Sequence, residues 1–230
     1  MTGLAFENVS LQKGRFYRRK TVLNNISFSL EQGYLCGIAG KNGAGKTTLF
    51  EAVISPEPDY SGRITYRGMD IRKEHEEFMQ YVGHISDDRR YPHGKSLRQI
   101  GDLFGPLYRD WDKELYLGQL ASFGLSPGKE KGSLSRGENL KFQLAFAIGH
   151  HTKLYLLDEV TAGMDVIFRK EFFELLGRLL EDEEVSVLMT THIEQELDRN
   201  MDYIGILDQG RLVSFGENER GMGGWAQEGR

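Results

Sequence analysis

Eight consecutive residues constrain this chain more than any other feature: Gly40-Lys41-Asn42-Gly43-Ala44-Gly45-Lys46-Thr47. An apolar run at 34–39, introduced by Gly33, precedes them and reads as a fully buried central strand. A helix-compatible segment at 48–54 follows. G-x-x-x-x-G-K-[ST] between a strand and a helix is a phosphate loop. Its glycines let the backbone bend, so that successive N–H groups point into one concavity. The helix that starts at Lys46 and Thr47 adds its positive end to that field. On this reading Gly40, Asn42, Gly43, Ala44, Gly45 and Thr48 form the cradle. Lys46 reaches the β- and γ-phosphates of a nucleotide, and the Thr47 hydroxyl ligates Mg²⁺.

Two more segments carry chemistry. Leu154-Tyr155-Leu156-Leu157-Asp158-Glu159 is a buried strand ending in two carboxylates, which a parallel sheet would set beside the phosphate loop. Asp158 is then expected to hold Mg²⁺ through water, and Glu159 to polarise an attacking water. Leu134-Ser135-Arg136-Gly137-Glu138 precedes a helix-compatible stretch at 139–148. Ser135 and Gly137 at a helix N-terminus make a second set of anion donors. One phosphate loop needs only one such set, so the surplus suggests a γ-phosphate held between two surfaces.

Around these motifs the pattern is that of an α/β domain. Ile26, Phe28 and Leu30 alternate with Ser27 and Ser29, as in a half-buried strand. Further buried runs lie at 154–157 and 185–189. Between them Phe168, Phe172, Leu175 or Leu176, and Leu179 recur at helical spacing. Two apolar runs flanking Asp208-Gln209-Gly210 read as a hairpin. Buried strands alternating with helices predict a mostly parallel, doubly wound sheet. The polar, aromatic stretch from about 87 carries short helical patterns at 97–104 and 111–123 and reads as a helical insertion. Residues 217–230 are Gly-rich and polar, and read as a tail.

Composition narrows the function classes. The 230 residues carry 29 Lys and Arg against 34 Asp and Glu, a net charge of −5. No basic excess exists to neutralise a nucleic-acid backbone, so no nucleic acid is expected as a partner. The one cysteine, Cys36, cannot form an intrachain disulfide, which fits a reducing compartment. No apolar run approaches the roughly 18–20 residues of a membrane span. Glu7 interrupts what would be the apolar core of a secretory leader, so none is expected.

The three motifs in this order resemble the ATP-binding subunits of ABC transporters, over nearly the whole chain. The resemblance implies a P-loop NTPase of ABC type. Its mostly parallel doubly wound sheet would be joined by an N-terminal antiparallel β region and a helical subdomain at about 87–150, all within one nucleotide-binding domain, 1–230. The implied ligands are ATP and Mg²⁺. Tyr17 would stack on adenine, and His192, after the buried strand ending Leu188-Met189-Thr190-Thr191, would reach the γ-phosphate. Glu159, His192 and Lys46 would be catalytic. Ser135, Gly137 and Glu138 would contact nucleotide. Ala162-Gly163-Met164-Asp165 would cross a dimer.

The sequence also departs from the family pattern. Asp87 stands at the position of the usual Gln and is assigned to the metal together with Thr47 and Asp158. Arg136 replaces a glycine and Glu138 a glutamine in the signature segment. The family implies two partners: an integral membrane permease, and a second copy or a paralogous ATPase subunit docked head to tail. It implies a cytoplasmic location, peripheral on the inner face of the cell membrane. The Trp111-Asp112 pair, Asp87 and the single domain resemble small exporter-type subunits. Tyr91, Phe104, Tyr108 and Trp111 are candidate exposed aromatics for the permease, or equally core of the insertion. A non-transport ABC ATPase of DNA repair or translation, and an ATP-binding module without turnover, are the rival readings.

Overall fold

The computed structural model describes residues 2–14, 19–56, 59–87, 91–92, 94–192 and 200–218. Two sheets organise it. The first is antiparallel, in the order β2-β1-β4-β5, from β1 (Thr2–Lys13), β2 (Lys20–Glu31), β4 (Tyr60–Tyr66) and β5 (Met69–Asp70). The second runs β10-β9-β3-β8-β7-β6, from β3 (Leu35–Ala39), β6 (Val82–Ser86), β7 (Leu154–Asp158), β8 (Ser186–Thr191), β9 (Tyr203–Asp208) and β10 (Arg211–Glu217). Five of these strands are parallel, and β10 returns antiparallel to β9 through the expected hairpin.

Strand periodicity explains why the second sheet is covered on both faces. In β7, Leu154 and Leu156 pack toward the antiparallel sheet and helix α1 (Lys46–Ile54), whereas Tyr155 and Leu157 pack the other way. There they meet α5 (Arg136–Gly149) and α6 (Val166–Leu180). β3 and β8 alternate in the same way, and every residue of β3 is buried.

The helical insertion contains α3 (Leu97–Phe104) and α4 (Lys113–Ser122), and α5 joins it to β7; the short α2 (His75–Met79) precedes β6. Of the two readings of the insertion's aromatics, core packing is the one the structure shows. Tyr91 is buried, and Phe104, Tyr108 and Trp111 pack against a separate core with Leu97, Tyr116, Phe142 and Phe146. Trp111 lies against Phe146 and Tyr116, and Tyr108 stacks on His150 with ring centroids 3.9 Å apart. Asp112 caps α4 by accepting a hydrogen bond from the Leu115 amide. Burying these rings stabilises a small lobe that has no sheet of its own to pack against.

Candidate functional site

The C-terminal ends of β3, β7 and β8 meet at the phosphate loop. Gly43 and Gly45 take positive φ of 81° and 113°, backbone that side chains rarely adopt. Gly45 caps α1 without a side-chain acceptor, so the first amides of that helix are offered to an anion. Lys46 is almost completely buried. Its ammonium donates to the carbonyls of Gly40 (2.6 Å) and Lys41 (3.2 Å) and pairs with a Glu159 oxygen at 2.9 Å. The other Glu159 oxygen lies 3.8 Å from His192 Nδ1. The Glu159 carboxylate therefore stands between the Lys46 ammonium and the His192 ring.

Thr190 holds this arrangement. Its hydroxyl donates to Asp158 at 2.7 Å, and the Glu159 amide donates back to the hydroxyl at 3.1 Å. Glu159 sits at φ 50°, an uncommon conformation for a residue with a side chain, and the Thr190 contacts help maintain it. The Thr47 hydroxyl also bonds the Asp158 carboxylate. Thr190 escaped the sequence reading, although a Thr at the end of an otherwise apolar strand was its visible signal.

Burial pushes the Asp158 carboxyl above the ordinary carboxylate range, against the opposing hydrogen bonds from Thr190 and Thr47. A raised folded-state value means that the ionised side chain costs stability above that value. The cost disappears as pH falls through it. Asp158→Asn is therefore expected to raise the melting midpoint at neutral pH. The gain should shrink as pH falls through the raised carboxyl value, as differential scanning calorimetry would read. The same variant should lose Mg²⁺-dependent turnover, so stability and activity move in opposite directions.

The donor set suits Mg²⁺, which takes one or two protein oxygens and fills the rest of its shell with water and phosphate. Thr47 and Asp158 supply that pair. Asp87 lies one residue beyond Ser86, which stands opposite Asp158 in the β6–β7 register. Its carboxylate is turned to Arg136, at 2.7 Å.

The signature segment lines a different concavity. A cavity of about 940 Å³ has Gly40, Lys41, Asn42 and His192 on its wall. A cavity of about 170 Å³ has Asp87, Arg136, Gly137, Ala162 and Gly163 on its wall. Ser135 caps α5: its hydroxyl oxygen accepts from the Glu138 amide at 3.3 Å, and Glu138 accepts from the Ser135 amide at 2.9 Å. Lys129 donates to the other Glu138 oxygen at 2.6 Å. Those bonds hold the Glu138 carboxyl down to about 2. Glu138 is thus engaged within its own protomer, while Ser135 keeps its O–H as a donor. Ala44 and Thr48 are buried in the loop and the first turn of α1. Tyr17 lies outside the described residues.

The family model described as ABC transporter matches residues 23–162, from the second strand through the signature segment and the carboxylate pair. The chain belongs to the ABC transporter family. It carries an ABC ATPase domain of the P-loop NTPase class. Among its relatives is the linearmycin resistance ATP-binding protein LnrL of Bacillus subtilis, 32% identical over 87% of this chain and 66% of that protein. The Nod factor export ATP-binding protein I of Neorhizobium galegae is 28% identical over 87% and 59%. The ribose import ATP-binding protein RbsA of Bacillus cereus is 25% identical over 87% and 44%. The chain thus spans at most about two thirds of the length of these relatives. A solved ATP-binding subunit of an ABC transporter superposes with a TM-score of 0.82 at 22% identity, covering 94% of this chain and 90% of its own. The ATP-binding cassette MJ0796, solved as a dimer bound to ADP and Pi, gives 0.81 at 18%, covering 93% and 98%. No helix among the described residues is long and apolar enough to cross a membrane.

Proposed function

We propose that this ABC ATPase domain binds ATP with Mg²⁺, hydrolyses it, and powers an integral membrane permease that works in export. The observation that carries the chemistry is the Lys46–Glu159–His192 cluster beside the Thr47–Asp158 pair. A triphosphate entering the loop competes with Glu159 for the Lys46 ammonium. Once Lys46 turns to the phosphates, Glu159 is released beside His192, where it can accept a proton from an attacking water. His192 faces the departing γ-phosphate as a hydrogen-bond partner. Thr47 and Asp158 would hold Mg²⁺, which would supply charge neutralisation to the phosphates. The remaining catalysis is positioning and charge stabilisation.

Gly137 lines a cavity separate from the one lined by Gly40, Lys41, Asn42 and His192 of the same protomer. That separation supports a second copy, or a paralogous subunit, supplying Ser135 and Gly137 head to tail, with the segment 162–165 crossing between. ATP then joins the halves, and loss of the γ-phosphate lets them part. The export direction is supported by the Nod factor export relative, which is more identical to this chain than the ribose import relative.

Phosphate release by the purified chain tests the reading. Turnover should need both ATP and Mg²⁺, and Thr47→Val should raise the Mg²⁺ requirement. Tight ATP binding without phosphate release would leave a binding module instead. Recovery of ribosomes or DNA with the tagged chain, and of no membrane protein, would contradict the transport role.

A further inference from the structure

Two residues that depart from the family pattern, far apart in sequence, meet in space. Arg136 is the first residue of α5. One arm of its guanidinium pairs with Asp87 at 2.7 Å, and the other donates to the carbonyl of Ala162. Asp87 begins the loop after β6, and Ala162 lies in the loop after β7. Two helical turns along α5, on the same face, the Gln143 amide donates to the Ser86 carbonyl at 2.9 Å and accepts from the Ser86 amide at 3.3 Å. The start of α5 is thus pinned at Asp87 and Ala162, and its middle at Ser86. Gly163 completes the fit. It has φ 76°, and a Cβ there would stand 2.9 Å from the Arg136 guanidinium.

We propose that Arg136 is a positioning residue. Its fork joins the loop after β6 to the loop after β7, and so sets where Ser135 and Gly137 stand relative to this protomer's own Glu159. The inference rests on the ATPase reading above and goes beyond it. It makes Asp87 the anchor of Arg136 instead of a metal ligand, and it makes the two departures one device. A guanidinium suits the task because its planar fork can serve two acceptors in fixed directions; an ammonium is a point charge. The pair is about half exposed, so salt weakens it. The transmitted quantity is geometry: Ser135, next to Arg136, and Glu159, three residues before Ala162, would move together.

The experiment compares Asp87→Asn, Arg136→Met, their double variant and Arg136→Lys with the unsubstituted full chain. Steady-state phosphate release should show kcat down about tenfold to a hundredfold in each neutralising single variant. KM for ATP should stay within about threefold, since nucleotide capture by one protomer is untouched. The double variant should be no worse than either single variant, because both remove one interaction. Arg136→Lys should fall between. Half-saturation by Mg²⁺ should not change in Asp87→Asn.

Hydrogen exchange of the nucleotide-free chains is the second readout. Both single variants should speed exchange across residues 160–165 by the same factor, and the double variant should add nothing. Unchanged exchange overturns the clamp, whether or not the chain turns over. In a chain that turns over, multiplicative kcat losses also overturn it, as does a raised Mg²⁺ requirement confined to Asp87→Asn. No turnover in the unsubstituted chain overturns the functional reading instead, and exchange then still decides the clamp.

Discussion

Glu159→Gln is expected to lower ATP turnover by about 10²- to 10⁴-fold while leaving ATP binding intact or tighter. The substitution removes the group placed to accept the water's proton. It also removes the carboxylate that holds Lys46 at 2.9 Å before nucleotide arrives. Lys46 keeps the Gly40 and Lys41 carbonyls as partners, so it stays in the loop, and the triphosphate no longer competes with a fixed anion. With γ-phosphate retained, the variant should elute as a dimer when ATP is present. Single-turnover phosphate release and size-exclusion chromatography read the two effects. Turnover at the unsubstituted rate would remove Glu159 from its role.

The second large effect is at the signature segment. Ser135→Arg should abolish ATP-dependent dimerisation and leave nucleotide binding by the single chain unchanged. The change has a local cost too: loss of the Ser135 cap on α5 is worth about 1 kcal/mol, and a cation at a helix N-terminus is unfavourable. Ser135→Asp separates the two consequences. Aspartate caps as well as serine, so melting should be preserved, yet its charge repels a γ-phosphate and the dimer should still be lost. A Ser135→Asp chain that dimerises normally with ATP would show that the segment meets no phosphate.

Local signals made much of this molecule readable. The phosphate loop is contiguous, and an apolar run marks the strand before it. The helix over Leu97–Phe104 was readable from the helical spacing of its apolar residues; the capping box of Ser96 and Gln99 that starts it emerges from the structure. The β9–β10 hairpin was readable from its turn. The antiparallel sheet was harder. β1 shifts register between Phe6 and Val9, and Asn8 has φ 51°, so its alternation is broken where a period of two would be sought. β4 pairs with β1 across a distant stretch of chain, which no local pattern reports, and β5 adds to β4 through the short turn at Arg67-Gly68.

Two sets of contacts were out of the sequence's reach for a common reason. The aromatics of the insertion could be read either as a surface or as core, because their segment is polar. They pack inward because α5, later in the chain, brings Phe142 and Phe146 to them: Tyr91 is buried, and Phe104, Tyr108 and Trp111 are partly buried. Asp87 is assigned to the metal from its place in the family pattern, and no local signal in the sequence announces its ion pair. Its nearest cation is Arg136, delivered by the same helix. In both cases a residue type gave the chemistry, and tertiary packing decided which partner it met.

The central claim is that one triphosphate site is built from two protomers. Interchain cross-linking tests it most directly. Asn42→Cys places a thiol in the phosphate loop and Gly137→Cys places one in the signature segment. The native Cys36 is fully buried and will not compete. Both are introduced together into the Glu159→Gln chain, with each alone as control, under mild oxidant. The account predicts that ATP and Mg²⁺ give a disulfide-linked species of twice the monomer mass for the paired variant, and none for either single variant or without nucleotide. A disulfide within one chain, or no cross-link with ATP bound, would contradict it.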